Sequence, residues 1–145
     1  MKRFVLIGGG GFAKEVAELV VLNGGQVVGY VGNSEGVLDK PYWGDMARLS
    51  SIVDRFDAVA VAFGAVDRKS ALSRAKVVAW LVAQGLETPS FISPQAIRAS
   101  GVIIDDGAIV AHGVVMSVDA HIGAFAILNS SAIIGHDAVS VFGRP

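Results

Sequence analysis

Three places in the 145-residue sequence carry residue types and spacings that could do chemistry. The first is Gly8-Gly9-Gly10-Gly11-Phe12-Ala13, which satisfies G-x-G-x-x-A between a strand-like run and a helix-like one. Glycines in that context let backbone N–H groups at a helix N-terminus meet a phosphate without interference from Cβ atoms. A tight turn alone would also use them. The second is Gly64, which follows the third apolar run and so falls at the carboxyl edge of a parallel sheet, where open α/β sheets bind ligands. The third is His136-Asp137. An imidazole titrates near pH ~6.5 and can take a proton from an attacking amine or hydroxyl at neutral pH, although a lone histidine at a polar corner is more often solvated surface.

Other combinations are weaker. Dinucleotide use favours an acidic residue at the end of the second strand, but Tyr30-Val31-Gly32-Asn33-Ser34 is uncharged there and Glu35 comes late. A mononucleotide or nucleotide sugar is the better expectation. His112 and His121, with Asp105, Asp106 and Asp119, have no His-x-His or His-x-x-x-His spacing, so no metal is expected. With no cysteine and no G-x-S-x-G, an acyl group would pass directly to its acceptor rather than through an acyl-enzyme.

The elements that must position these groups fall into two kinds. In the first part, short apolar runs at Phe4 to Ile7, Val27 to Val31 and Ala58 to Phe63 alternate with helix-like stretches, the pattern of βαβ units. Phe12, Val16, Leu19 and Val20 share one face of a helix that Gly24-Gly25 stops. Met46 to about Phe56 and Asp67 to about Gln84 read as two further helices, the second capped by Asp67 and ended at Gly85. Pro41-Tyr42-Trp43-Gly44 reads as a loop packed over a core. From Phe91 the sequence falls into windows of six: FISPQA, IRASGV, IIDDGA, IVAHGV, VMSVDA, HIGAFA, ILNSSA, IIGHDA. The second column (Ile92, Arg98, Ile104, Val110, Met116, Ile122, Leu128, Ile134) is bulky apart from Arg98, and the sixth is Ala or Val. That period predicts a three-sided solenoid of about 18 residues per coil, with short strands, stacked aliphatics inside and tight corners. The expected division is residues 1–88 and 89–145.

Composition excludes several classes. Twelve basic against thirteen acidic side chains give a net charge of -1 and no footprint for a nucleic-acid backbone. Mean hydropathy is +0.57. The charge-free apolar stretch Ala58 to Val66 is about half the roughly 20 residues of a membrane helix, so buried parallel strands are expected rather than a span. Met1-Lys2-Arg3 leads directly into Phe4-Val5-Leu6-Ile7 without a signal-peptide pattern, and the lack of cysteine fits a reducing, cytoplasmic setting.

These residues resemble the nucleotide-amino-sugar N-acetyltransferases and sialic-acid O-acetyltransferases of bacterial surface-glycan pathways. The resemblance covers nearly the whole chain. It rests on Ile7-Gly8-Gly9-Gly10-Gly11-Phe12-Ala13-Lys14-Glu15-Val16, on the join to hexapeptide repeats near Phe91, and on Asn129-Ser130-Ser131-Ala132-Ile133-Ile134-Gly135-His136-Asp137. It implies an α/β Rossmann-like N-terminal domain that binds a nucleotide sugar, followed by an all-β left-handed parallel β-helix. It further implies a homotrimer with acetyl-CoA, the acyl donor, between neighbouring subunits. The implied substrate-binding set is Gly8, Gly9, Gly10, Gly11, Phe12, Lys14, Asn33 and Gly64. His136 is implied as the general base toward the sugar amine, Asp137 or a backbone carbonyl as the group that fixes its tautomer, and Asn129 as a contact to the acceptor or to the His136 loop. The family often has aspartates at the second-strand end, so Gly32 and Asn33 leave the base open. Nitrogen and oxygen acceptors both remain open.

After His136-Asp137 the family continues through further hexads. Here the pattern is expected to fail, because Ser140 takes a bulky inward position and Val141-Phe142-Gly143-Arg144-Pro145 resembles no hexad. A C-terminally truncated member is the expectation, with acetyl transfer weak unless a partner supplies coils. The alternatives are a non-catalytic nucleotide-sugar-binding protein and a small NAD-dependent oxidoreductase.

Overall fold

A computed structural model describes residues 1–140. They belong to two compact units, Met1–Thr88 and Pro89–Pro145. In the first unit β1 (Arg3–Ile7), β2 (Gln26–Val31) and β3 (Ala58–Val61) pair in parallel in the order β2-β1-β3. Phe4 to Ile7 and Ala58 to Val61 are buried without alternation, as strands covered on both faces are. Helix α1 (Gly11–Leu22) buries Ala13, Val16, Leu19 and Val20. The expected stripe shifts by one place at its start, with Ala13 inside and Phe12 half-buried. Gly24 (φ +86°) turns the chain out of this helix.

Helix α2 (Arg68–Ala83) begins as the sequence predicts. Asp67 accepts the Ser70 amide at 2.8 Å and the Ser70 hydroxyl accepts the Asp67 amide at 3.1 Å, a reciprocal capping box. Gly85 follows its end at φ +69°. The helix expected from Met46 to Phe56 is instead two 3-10 turns, Met46–Ser51 and Val53–Arg55. Leu49 and Ile52 are both buried, and their spacing of three suits a 3-10 turn as well as an α-helix. Pro41 to Gly44 runs beside β2: the Tyr30 amide donates to Pro41 O, and the Trp43 amide donates to Tyr30 O. Trp43 packs where Gly29 lacks a side chain.

In the second unit every strand is two residues long and each begins six residues after the last. They are β4 (Phe91–Ile92), β5 (Ile97–Arg98), β6 (Ile103–Ile104), β7 (Ile109–Val110), β8 (Val115–Met116), β9 (His121–Ile122), β10 (Ile127–Leu128), β11 (Ile133–Ile134) and β12 (Val139–Ser140). They form three parallel sheets, β4-β7-β10, β5-β8-β11 and β6-β9-β12, in which each residue pairs with the one 18 later, as Phe91 does with Ile109. This is a three-sided parallel β-helix. Val110, Met116, Ile122 and Leu128 of the second column fill its interior with Val102, Ala108, Val114, Ala120 and Ala126 of the sixth. Arg98 is exposed and its guanidinium donates to Val102 O at 3.0 Å.

Two expectations change here. Among the described residues nine strands make three coils, where eight windows fell short of that number. The backbone register also does not fail at Ser140, which pairs with Ile122 and whose carbonyl accepts the Gly123 amide at 2.6 Å. Main-chain bonds set the register, so a polar side chain at an inward position does not break it. The expected break at Val141 to Pro145 lies outside the described residues.

The corners explain a column that composition alone does not reveal. Gly101, Gly107, Gly113, Asp119, Phe125, Ser131 and Asp137, the fifth places of their windows, all have positive φ between 59° and 78°. Six of the seven, all but Gly101, sit in a turn closed by an amide three residues on, as Ala126 N donates to Gly123 O. A Cβ on Gly107 would overlap the ring of Phe125, one coil on.

Two predictions follow from this packing. Gly107→Ala destabilises the chain by about 1–3 kcal/mol through that overlap and the left-handed backbone. In a urea titration, Phe125→Ala in the same background costs less than the two single changes summed, and strict additivity refutes the overlap. In the first unit, the Arg3 guanidinium and backbone amide hold Asp57 down to about 2 through hydrogen bonds to its carboxylate. A carboxyl held low in the folded state stabilises above its ordinary range and loses that effect as pH falls from about 4 toward about 2. Asp57→Asn is therefore expected to lower Tm near neutral pH, with the gap to the parent closing over that acid window; a constant gap contradicts it.

Candidate functional site

Strand β1 lies between β2 and β3, so the chain leaves it to one side and later returns on the other. Ligands of open α/β sheets bind at the carboxyl ends of strands around such a switch point. The residues there are Gly8 to Gly11 after β1 and Ala62 to Asp67 after β3.

The four glycines do different work. Gly8 has φ +109°, and a Cβ on it would stand 3.0 Å from Ala62 O. A Cβ on Gly9 would overlap the ring of Tyr30, which is fully buried. The Gly9 carbonyl accepts the amides of Val37 (2.7 Å) and Leu38 (3.1 Å), while Gly36 crosses Gly9 closely and donates its amide to Tyr30 Oη at 2.9 Å. In a trans peptide the N–H points opposite to the C=O, so anchoring Gly9 O turns the Gly10 amide away from Val37 and Leu38. Gly10 then caps α1 without a side chain, and Gly11 is its first residue. A Cβ on either meets nothing within 4 Å. The fold therefore requires Gly8 and Gly9, whereas Gly10 and Gly11 leave open space at a helix N-terminus, where the first amides have no partner within the helix and attract anions.

Around this loop, Phe12 is half-buried, and Lys14, Asn33 and Gly64 are exposed. Asn33 lies in the bend after β2, where Gly32 is fixed by a 2.7 Å bond from Tyr42 Oη to its carbonyl. Arg74 is the residue that sequence reasoning missed. It shares the buried face of α2 with Val78 and Leu81, and its Nε donates to Phe63 O at 2.9 Å. Its spacing of four and seven from those two was the available signal.

In the second unit His136 follows β11 at an exposed corner, with its side chain 84% accessible. Its Nδ1 is 3.1 Å from Asp137 Oδ2, and Asp137 is held by its own amide on Val118 O at 3.0 Å. An ionised carboxylate only accepts, so Nδ1 carries the hydrogen and Nε2 is left to receive a proton. Asn129 is exposed at the corner before β11, while His136 is at the corner after it, so a two-residue strand separates them. Asn129 O closes its own turn with the Ala132 amide. The other histidines are engaged elsewhere: His112 Nδ1 lies 2.6 Å from Ser93 Oγ, and His121 Nε2 lies 2.8 Å from Asp105 Oδ2. Among the described residues, no group of three or more His, Asp or Glu is placed to hold a metal, and no helix is long and apolar enough to cross a membrane.

Residues 3–81 match the family described as the PglD N-terminal domain. The chain belongs to that family. Its fold also matches perosamine N-acetyltransferase from Caulobacter crescentus, solved as a histidine-to-asparagine mutant with CoA and GDP-perosamine (29% identity, TM-score 0.83). PerB from the same organism, with the same two ligands, is 30% identical with a TM-score of 0.84. Both alignments cover 96% of this chain and 65% of the other, so the chain spans just under two thirds of their length. The acetyltransferase domain of PglB from Neisseria gonorrhoeae, with acetyl coenzyme A, is 25% identical with a TM-score of 0.84, over 98% of this chain and 68% of that one. No functionally curated protein matches.

The nucleotide-amino-sugar acetyltransferase family read from Gly8 to Val16 and from the hexads is thus the family reached by sequence and fold together. Within the PglD N-terminal domain, the two glycines that the fold leaves unexplained can be tested apart from the rest. Gly11→Ala in the first turn of α1 is expected to raise stability by about 0.5–1 kcal/mol. The same change is expected to weaken binding of GDP or UDP; a Cβ that leaves nucleotide affinity intact shows that no ligand backs onto Gly11.

Proposed function

We propose that this chain acts as an acetyl-CoA-dependent acetyltransferase on a nucleotide-linked amino sugar or a sialic-acid-type sugar, in bacterial surface-glycan biosynthesis in the cytoplasm. The observation that carries this reading is the match over 96% of the chain to enzymes solved with both CoA and GDP-perosamine. The open Gly10-Gly11 cradle supports nucleotide binding at residues 1–88, with Gly8, Gly9, Phe12, Lys14, Asn33 and Gly64 around it. Residues 89–145, the left-handed β-helix, supply the chemistry and assemble as a homotrimer with acetyl-CoA between subunits.

In the reaction, the amine nitrogen of an amino sugar, or the hydroxyl oxygen of a sialic-acid-type sugar, attacks the thioester carbonyl carbon, a C–N or C–O bond forms, the C–S bond breaks and CoA leaves as the thiolate. His136 Nε2 takes the proton released by the attacking nitrogen or oxygen. Asp137 holds Nδ1–H and so favours the tautomer that leaves Nε2 free, and it stabilises the imidazolium once formed. Asn129 is assigned to the acceptor rather than to His136, because the β11 strand separates the two corners. That a histidine was replaced in two of the perosamine enzyme structures agrees with a histidine base.

The test is release of CoA thiol in the presence of a panel of nucleotide-linked amino sugars. The chain has no cysteine, so a thiol reagent meets no background from the protein. His136→Gln is expected to lower kcat/KM by about 10²- to 10⁴-fold with nucleotide affinity unchanged. An equally active variant removes His136 from the mechanism. Nucleotide binding with no thiol release by the parent chain favours the non-catalytic binding protein instead.

A further inference from the structure

The connection from β3 to α2 forms the second wall at the switch point, and it is held from one face of α2. Ser70 and Arg74 are one helical turn apart on that face. The Ser70 hydroxyl accepts the amides of Val66 (2.9 Å) and Asp67 (3.1 Å) at the far end of the connection. Arg74 Nε donates to the Phe63 carbonyl at the near end. Between them Gly64, Ala65 and Val66 are exposed, Val66 by 95%.

Arg74 is only 4% exposed on a helix face where an aliphatic residue would pack with Val78 and Leu81. Burial pulls its guanidinium down to about 10, so it stays cationic at neutral pH. A cation kept in such a place costs stability, and a packed hydrophobe is often as good or better for the fold alone. What the guanidinium holds is the residue just before Gly64. Phe63 in turn bears on the glycine loop: Ile7 pairs with Val61, the Ala62 amide donates to Ile7 O at 2.8 Å, and a Cβ on Gly8 would stand 3.4 Å from Phe63 Cβ.

We propose that Arg74 is a positioning residue for the nucleotide: by holding the Phe63 carbonyl it fixes Gly64 to Val66 against the Gly8–Gly11 loop and so sets the width of the crevice. This rests on the reading of that crevice as the nucleotide site. The donor geometry of a guanidinium suits a fixed carbonyl, and lysine, with one flexible ammonium, reproduces it incompletely.

The experiment is titration calorimetry of the full chain with GDP and with UDP, comparing the parent, Arg74→Lys and Arg74→Met, alongside Tm and amide hydrogen exchange. Arg74→Met is expected to keep or raise Tm, to weaken whichever nucleotide the parent binds by about tenfold, and to speed exchange at Gly64 and Ala65. Arg74→Lys is expected to fall between. A purely structural role would move Tm and leave Kd alone, so Arg74→Met binding within twofold of the parent overturns the proposal. If Arg74→Met does not fold, Arg74→Lys decides: a Kd raised by about threefold supports the proposal and an unchanged Kd overturns it. A parent that binds neither nucleotide overturns the glycine-loop reading itself, and this proposal with it.

Discussion

The carbonyl of Gly9 accepts two amides at once, and the organisation of the N-terminal unit depends on that anchorage. For Val37 and Leu38 to reach it, the chain after β2 must fold back over the glycine loop, and Gly36 must pass Gly9 where no Cβ fits. Tyr30 makes the return possible, with its ring in the space Gly9 leaves and its hydroxyl on the Gly36 amide. Pro41 to Gly44 then covers the outer edge of β2, so that the fold-back is closed at both ends. A loop whose carbonyl is tied down in this way cannot rotate its peptides, and its outward amides are presented without reorganisation when an anion arrives.

The β-helix solves a different problem with one repeated device. Its strands are too short to hold together individually, so coil-to-coil bonds every 18 residues carry the structure and each corner must return the chain in the same place. A left-handed residue does this. Where it is glycine, the space it leaves is taken from the next coil: Asp119 lies over Gly101, Phe125 over Gly107 and Ser131 over Gly113. Non-glycine residues then bear positive φ at four corners, a strain of about 1 kcal/mol or more each that the ladder bonds and the stacked aliphatics offset.

Much of this was legible in the sequence because the signals were periodic. Six-residue windows placed every strand from Phe91 to Ile134, and Asp67 with Gly85 bracketed α2, since caps and inward columns are local and repeat. The 3-10 turns between Met46 and Arg55 were not legible, because a spacing of three between Leu49 and Ile52 serves either helix type. Nor was Ser140, whose polarity concealed an intact ladder. The site was legible as a set of glycines but not as a division of labour among them, for only contacts with Tyr30 and Ala62, distant in sequence, separate the glycines that the fold needs from those it leaves open. Arg74 escaped because a charge on a helix reads as surface until its neighbours are known.

The strand order of the first unit bears on how the chain is made. Arg3 and Asp57, which pin the start of β1 to the approach of β3, are 54 residues apart. At about 5–20 residues per second on the ribosome, β1 waits about 3–11 s for the strand that covers its second edge. Each rung of the β-helix waits only for the 18 residues that return the chain to it, about 1–4 s. The nascent N-terminal unit is thus the stage at which a strand apolar from Phe4 to Ile7 keeps one edge unpaired for longest, and the period when a chaperone would matter most to this protein.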